Sequence, residues 1–281
     1  MRVGANYSHE VLQCHVLSIA VLGPGLPSWD VARSILGGEQ RYQRTEFEIP
    51  AVTWLPPTER RRVGKMVRLA LTVGNAAVRA AAIDASKVAT VFTSSSGDGD
   101  NCDAIFTTLA HNEKSERFIS PTRFHNSVHN APAGYWSIAN HCTLPSTSLC
   151  AYDASFAAGL VEACCQAMWT GEHILLISSD VMYPYPLSDI RPMGSNFAVA
   201  MVLKAAATDD ALAKLTLGYA AESETRMEPS ELDELRLSNP SARCLPLLQV
   251  IAQKALHSDR AAAKKIHLEY VEPVSLEVVV D

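Results

Sequence analysis

The chain lacks the features that mark several protein classes. No window approaches the roughly 18 uninterrupted apolar residues of a membrane-crossing helix, so no membrane span is expected. Basic residues are in the minority. With 24 Lys and Arg against 30 Asp and Glu the formal net charge is −6, a balance that gives no electrostatic reason to expect nucleic acid or an anionic membrane as partner. Seven cysteines, Cys14, Cys102, Cys142, Cys150, Cys164, Cys165 and Cys244, contain no C-x-x-C pair. Their number is odd and the adjacent Cys164 and Cys165 cannot easily bridge each other, so reduced thiols are expected rather than a disulfide framework or zinc knuckle. The N-terminal stretch MRVGANYSHEVLQCHVLSIAVLG has no apolar core free of polar residues and no small-residue cleavage site. It does not read as a signal peptide and points to the cytosol.

What is present is a globular composition. The 281 residues, 48% apolar and 19% charged, suffice for one large domain or two small ones. Residues 15–22 (HVLSIAVL) read as a strand and Pro57 to Ile83 as a long helical pattern. Val88 to Thr93 is a strand that stops in SSSGDGD, whose residues tolerate turns and can cap a helix over Asn101 to Leu109. Pro145 to Ala151 reads as a short strand, Asp153 to Trp169 as a helix capped by its Asp, and His173 to Ser179 and Asn196 to Leu203 as buried strands. This alternation predicts an α/β domain on a mostly parallel sheet. The pattern then restarts in shorter form. Ala213 to Ala221 is a strand, SELDEL a helical turn, Cys244 to His257 a helix, and Ile266 to Val271 and Val274 to Val280 strands that can pair across Glu272 and Pro273.

Several clusters invite a chemical reading. SSSGDGDNCD has neither the Gly-Lys-Ser/Thr ending of a P-loop nor the central Gly and distal Glu of a calcium-binding EF-hand, so Asp98, Asp100 and Asp103 are read as turn residues. His125 and His129 stand four apart and could join His141 in a zinc site. Asn126, Asn130 and Pro132 interrupt a helix there, and hydrogen bonding at a subunit interface is the favoured role. Cys150 has two readings, a small buried hydrophobe or a reactive thiol. Arg61, Lys65 and Arg68 fall near one helical face, with Val63, Val67, Leu69 and Leu71 supplying apolar surface, which describes a solvated helix face.

Two segments carry a family likeness: SPTRFHNSVHNAPAGYWSIA (120–139) and LPSTSLCAYDASFAAGLVEA (144–163), with SSDVMYPYP behind them. They resemble the N-terminal half of β-ketoacyl synthases, and within those the short synthase-like proteins of bacterial aryl-polyene pathways. The resemblance implies a thiolase-like layered α/β fold in one domain over 1–281, complete over 12–205 and abbreviated over 206–281. In an active synthase the strand-to-helix turn after Pro-Ser carries a Thr-Ala-Cys-Ser-Ser type sequence, where the helix dipole lowers the thiol pKa and backbone amides form an oxyanion hole. Aligning Pro145 and Ser146 on that motif gives the nucleophile's place to Asp153, a poor acyl acceptor but a good helix cap. The two further synthase histidines are also missing, since His257 and His267 stand in other contexts.

The likeness therefore implies a chain-length factor, the non-condensing partner of a full-length β-ketoacyl synthase. Its substrates would be phosphopantetheine-bound acyl chains delivered by an acyl carrier protein, with no further cofactor or metal. It also implies tunnel or interface roles for Phe118, Phe124, His125, His129, Tyr135, Trp136, Cys150 and Tyr152, although core packing explains the aromatics equally well. It makes Arg61, Lys65 and Arg68 a docking face for an acidic carrier protein. Two alternatives stand beside this: an acyltransferase or thioesterase using Cys150, and a homodimeric acyl-binding scaffold.

Overall fold

Ile174 to Asp180 form a strand in which every residue is buried, and Phe197 to Leu203 repeat the pattern beside it. Runs without polar alternation belong to strands covered on both faces, and the computed structural model, which describes residues 11–256 and 262–281, is layered accordingly. In chain order the elements are β1 (Leu12–Leu22), α1 (Trp29–Leu36), α2 (Pro57–Arg60), α3 (Lys65–Ala80), β2 (Ala89–Thr93), α4 (Gly99–Leu109), α5 (Pro121–Asn126), α6 (Ala131–Asn140) and β3 (Ser146–Leu149). After these come α7 (Ser155–Thr170), β4 (Ile174–Asp180), α8 (Leu187–Ile190), β5 (Phe197–Lys204), β6 (Ala213–Ala220), α9 (Ser230–Ser238), α10 (Leu245–Leu256), β7 (Lys264–Glu269) and β8 (Ser275–Val280).

The strands make one eight-stranded sheet in the order β3-β2-β4-β5-β1-β6-β8-β7. β2 runs parallel to β3 and to β4, and every other neighbouring pair is antiparallel. The mostly parallel sheet expected from the alternation of elements is thus corrected. Only a four-residue helix lies between β4 and β5, too little for a crossover, so the chain reverses and β5 returns antiparallel. The second half does not build its own sheet. β6 pairs with the first part of β1, Leu12 to Val16, on the edge opposite β5, and the β1–β5 pairing shifts register between Val16 and Ser18.

Alternate side chains feed two cores. Ile174, Leu176, Val199 and Met201 pack with α1, α7 and α10 on one face, while Leu175, Ile177, Ala200 and Val202 pack with α3 and α6 on the other. Each fully buried Leu, Ile or Val contributes roughly 1.5–3 kcal/mol of transfer free energy. Gly74 brings α3 close to the sheet: a Cβ there would lie 2.7 Å from Ile177 Cδ1 and 2.8 Å from Trp136 Cζ3.

Three further expectations are corrected. The long helix expected over Pro57 to Ile83 is two helices, because Gly64 takes an extended conformation ahead of α3 and breaks the run. The thiols are not all free. Cys14 on β1 and Cys164 on α7 form a disulfide, with Cα atoms 5.7 Å apart, because α7 packs across the sheet centre. The helix expected from Cys244 begins at Leu245 after a 3-10 turn over Pro240–Cys244, and His257 lies outside the described residues.

The ends of the sheet differ. β3 presents an outer edge that no strand of this chain covers among the described residues. At the other end His267 of β7 is bonded twice to Thr225: its N–H donates to Thr225 Oγ1 at 2.9 Å and its carbonyl accepts from the Thr225 N–H at 2.8 Å.

Candidate functional site

The three parallel strands β3, β2 and β4 end together, and the segments that leave them converge. Ligand sites of α/β sheets form beyond such carboxyl ends. Ser94 to Gly97 leave β2, Cys150 to Asp153 leave β3, and Val181 to Arg191 leave β4.

Asp180, the last residue of β4, organises the floor. Its carboxylate is fully buried and accepts hydrogen bonds from Ser94 Oγ at 3.0 Å, the Ser95 N–H at 2.8 Å and Ser241 Oγ at 2.7 Å. Burial pushes its pKa up against the opposing effect of these bonds. Asn239 donates from Nδ2 to the carbonyls of Asp180 and Ser195 at 3.2 and 2.8 Å. The second half thus reaches the site through Asn239 and Ser241.

Above this floor lies the turn before α7. Tyr152 has a left-handed backbone at φ 53°, uncommon for a residue with a side chain and a conformation that recurs at functional sites. Tyr152–Ala154 form a 3-10 turn and α7 starts at Ser155 with no side-chain cap. The expected capping role of Asp153 is therefore corrected. Its carboxylate turns away and accepts from Arg191 Nη2 at 2.8 Å, and the Arg191 guanidinium carbon stands 3.4 Å from the centre of the Tyr152 ring. Burial lowers the Arg191 pKa, but Asp153, Tyr152 and the Tyr183 hydroxyl more than offset it, so the net shift is upward and the group stays cationic. Nearby, Arg243 joins Glu269 at 3.0 Å and Glu224 at 3.3 Å, and Arg236 joins Glu224 at 2.7 Å. Burial raises the Glu269 pKa, Arg243 works against it, and the charge of Asp153 adds to the rise.

The remaining expected residues are dispersed. The Cys150 thiol donates to the Ser95 carbonyl at 2.7 Å beside this cluster. Tyr135 and Trp136 are held in the α3–α6 core with 2% and 1% exposure, whereas Phe118 and Phe124 are 80% and 69% exposed. The ring of His125 packs edge-on to Tyr135, and His129 Nε2 lies 3.3 Å from the Ser94 carbonyl. His141 ends α6 in a left-handed conformation. Among the described residues no three His, Cys, Asp or Glu side chains are grouped to hold a metal ion. Arg61 lies beyond the break at Gly64, so it does not share a helix with Lys65 and Arg68, and Lys65 pairs with Asp100 at 2.9 Å. His267 lies on β7 with its Nε2 3.4 Å from Glu277. Sequence reasoning missed Arg191, Tyr183 and Asn239. Asp180 had a signal, a carboxylate ending an apolar strand, whereas Arg191 had none.

A model of the β-ketoacyl synthase N-terminal domain matches residues 38–263. The chain belongs to that family. No curated protein matches it. Solved structures give the ketosynthase fold across nearly the whole chain. The ketosynthase ApeO in complex with its chain length factor ApeC, from Xenorhabdus doucetiae, has TM-score 0.70 at 20% identity, covering 95% of this chain and 99% of that one. The ishigamide ketosynthase/chain length factor has TM-score 0.72 at 11% identity, covering 95% and 99%. A type II polyketide ketosynthase complexed with its acyl-carrier protein, AntDE:AntF, has TM-score 0.71 at 12% identity, covering 96% and 99%. At such identities the likeness is one of fold. Among the described residues no helix of this ketosynthase-family chain is long and apolar enough to cross a membrane.

Proposed function

We propose that this ketosynthase-family chain is a non-condensing subunit of the chain-length-factor kind. It pairs with a full-length β-ketoacyl synthase and helps shape the tunnel for an acyl chain delivered by a carrier protein. In this reading residues 1–281 act as one thiolase-like unit, full over 12–205 and trimmed over 206–281. The observation that carries the reading is the Asp153–Arg191 ion pair. Condensation needs a polarisable thiolate at the helix start, and here that place in the motif holds a carboxylate already committed to a guanidinium. A carboxylate in an ion pair is a weak nucleophile toward a thioester. The second half brings no histidine to this cluster among the described residues but a set of ion pairs, Arg243 with Glu269 and Glu224 and Arg236 with Glu224.

The surface around β3 supports a partner on that side. Its free edge runs between a groove of ≈ 560 Å³ lined by His129, Asn130, Ser137 and Ser148 and one of ≈ 710 Å³ lined by Leu144, Pro145, Gln166 and Trp169. A strand from another subunit would extend the sheet there, and the exposed Phe118 and Phe124 are offered as further apolar contacts for the same partner.

Co-expression with a synthase that keeps its Cys and both His residues tests the proposal. A stable stoichiometric complex is expected, together with no acyl-enzyme and no elongation by this chain alone. Covalent capture and elongation of an acyl group by the isolated chain would overturn it. Cys150 is exposed, which corrects its reading as a small buried hydrophobe, and its thiol donates to the Ser95 carbonyl. Alkylation mapped by mass spectrometry, with and without the partner synthase, reports whether an acyl group ever occupies it.

A further inference from the structure

The segment joining β4 to β5 is held down in an unusual way. Its ends are anchored. Tyr183 is buried, with its hydroxyl hydrogen-bonded to Ser96, and Ser195 is buried near Ser238, where Gly194 N–H donates to the Ser238 carbonyl at 3.0 Å. Between them apolar burial contributes little, since Tyr185 is 75% and Ile190 84% exposed and Leu187 is exposed as well. The other hydrogen bonds over residues 184–192 are local, from Ser188 to Pro184, Asp189 to Pro186 and Arg191 to Leu187. Among the described residues, the side-chain hydrogen bonds that tie this stretch to the body run through Arg191, to Asp153 at 2.8 Å and to the hydroxyl of the anchored Tyr183.

We propose that Arg191 is a latch, and that residues 184–192 form a strap whose closed position over the Tyr152–Ala154 turn is set by one ion pair and one stacked ring. The guanidinium has two jobs that a simpler cation could not combine. Its Nη2 donates to the Asp153 carboxylate at 2.8 Å while its central carbon stands 3.4 Å from the centre of the Tyr152 ring. The left-handed backbone at Tyr152 turns that ring to the place where the guanidinium can lie on it. With the latch closed, Asp153 and the start of α7 are covered. With it open, the strap has no other side-chain tie among the described residues and the turn is exposed. The latch belongs to this chain alone and stands apart from its pairing with a synthase.

Hydrogen–deuterium exchange on the full chain tests the latch. Arg191→Ala and Asp153→Asn should each accelerate exchange in peptides covering 184–192 and 151–154 by roughly tenfold or more, leaving β4 and β5 protected. The double variant should do no more than Arg191→Ala alone, because that change already removes both the ion pair and the stacked cation. Tyr152→Phe should behave as the parent and Tyr152→Leu as an opened strap, with Arg191→Lys in between. Added salt should speed exchange of the strap in the parent and leave it unchanged in Arg191→Ala, a response that a packing role would not give. Unchanged exchange of the strap in Arg191→Ala or Asp153→Asn would overturn the proposal, as would acceleration spread evenly through β4 and β5. Should Arg191→Ala fail to fold, Asp153→Asn and Tyr152→Leu decide by the same criteria, and collapse of all three variants also counts against a local latch.

Discussion

Asp180 has the most sharply testable ionisation in the molecule. Its carboxylate sits among hydroxyls and an amide with no cation in contact among the described residues, and burial raises its pKa. A raised folded value means the native state holds the proton more tightly than the unfolded chain. That contribution to stability is fully present below the unfolded carboxylate value and is lost as pH rises through the folded one. Urea midpoints measured across acidic to neutral pH should therefore fall with rising pH in the parent relative to Asp180→Asn. Parallel profiles for the two proteins would remove Asp180 from the account. At this scale the sequence was partly legible. A carboxylate closing a run of buried apolar residues is visible in HILLISSD, but its partners come from residues 94, 95 and 241, which no local pattern connects. Asp153 shows the limit more plainly. Capping chemistry predicts a helix start from its type and place, and an arginine 38 positions later took its side chain instead.

Elements were legible wherever burial leaves a periodic trace. β4, β5, α7 and the β7–β8 hairpin lie close to where apolar runs and turn residues put them, because each depends on its own sequence. Strand direction was not legible, since a fully buried strand reads the same in either direction and pairing is decided by the connection lengths and the helices that cover the faces. The break at Gly64 was visible as a residue but not as an event. Packing at Gly74 allows a stability test. Gly74→Ala would press a methyl against Ile177 and Trp136 and should cost about 1–3 kcal/mol in chemical denaturation. Trp136→Ala should cost about 3–5 kcal/mol by the same measurement, since its ring is buried by this chain's own core. Of the basic groups expected to meet a carrier protein, Lys65 and Arg68 lie on α3 while Arg61 caps the end of α2 on the other side of the Gly64 break. Exchanging Arg61, Lys65 and Arg68 for Glu should weaken carrier-protein binding at low salt, and unchanged titration curves would exclude this face.

For the whole molecule, pairing along β3 predicts that Phe118→Ser with Phe124→Ser lowers affinity for the partner synthase while leaving the melting temperature within a few degrees, because both rings are exposed. A large fall in melting temperature would mean that they support this chain's own fold. The unequal ends of the sheet carry a consequence for stoichiometry. At one extremity Thr225 already occupies the hydrogen-bonding groups of His267, while at the other β3 is unmet. A ribbon with two sticky margins propagates without limit, whereas one sealed margin allows a single joining event. Thr225 therefore obstructs an added strand at His267 on one margin, while β3 offers an unobstructed margin at the other.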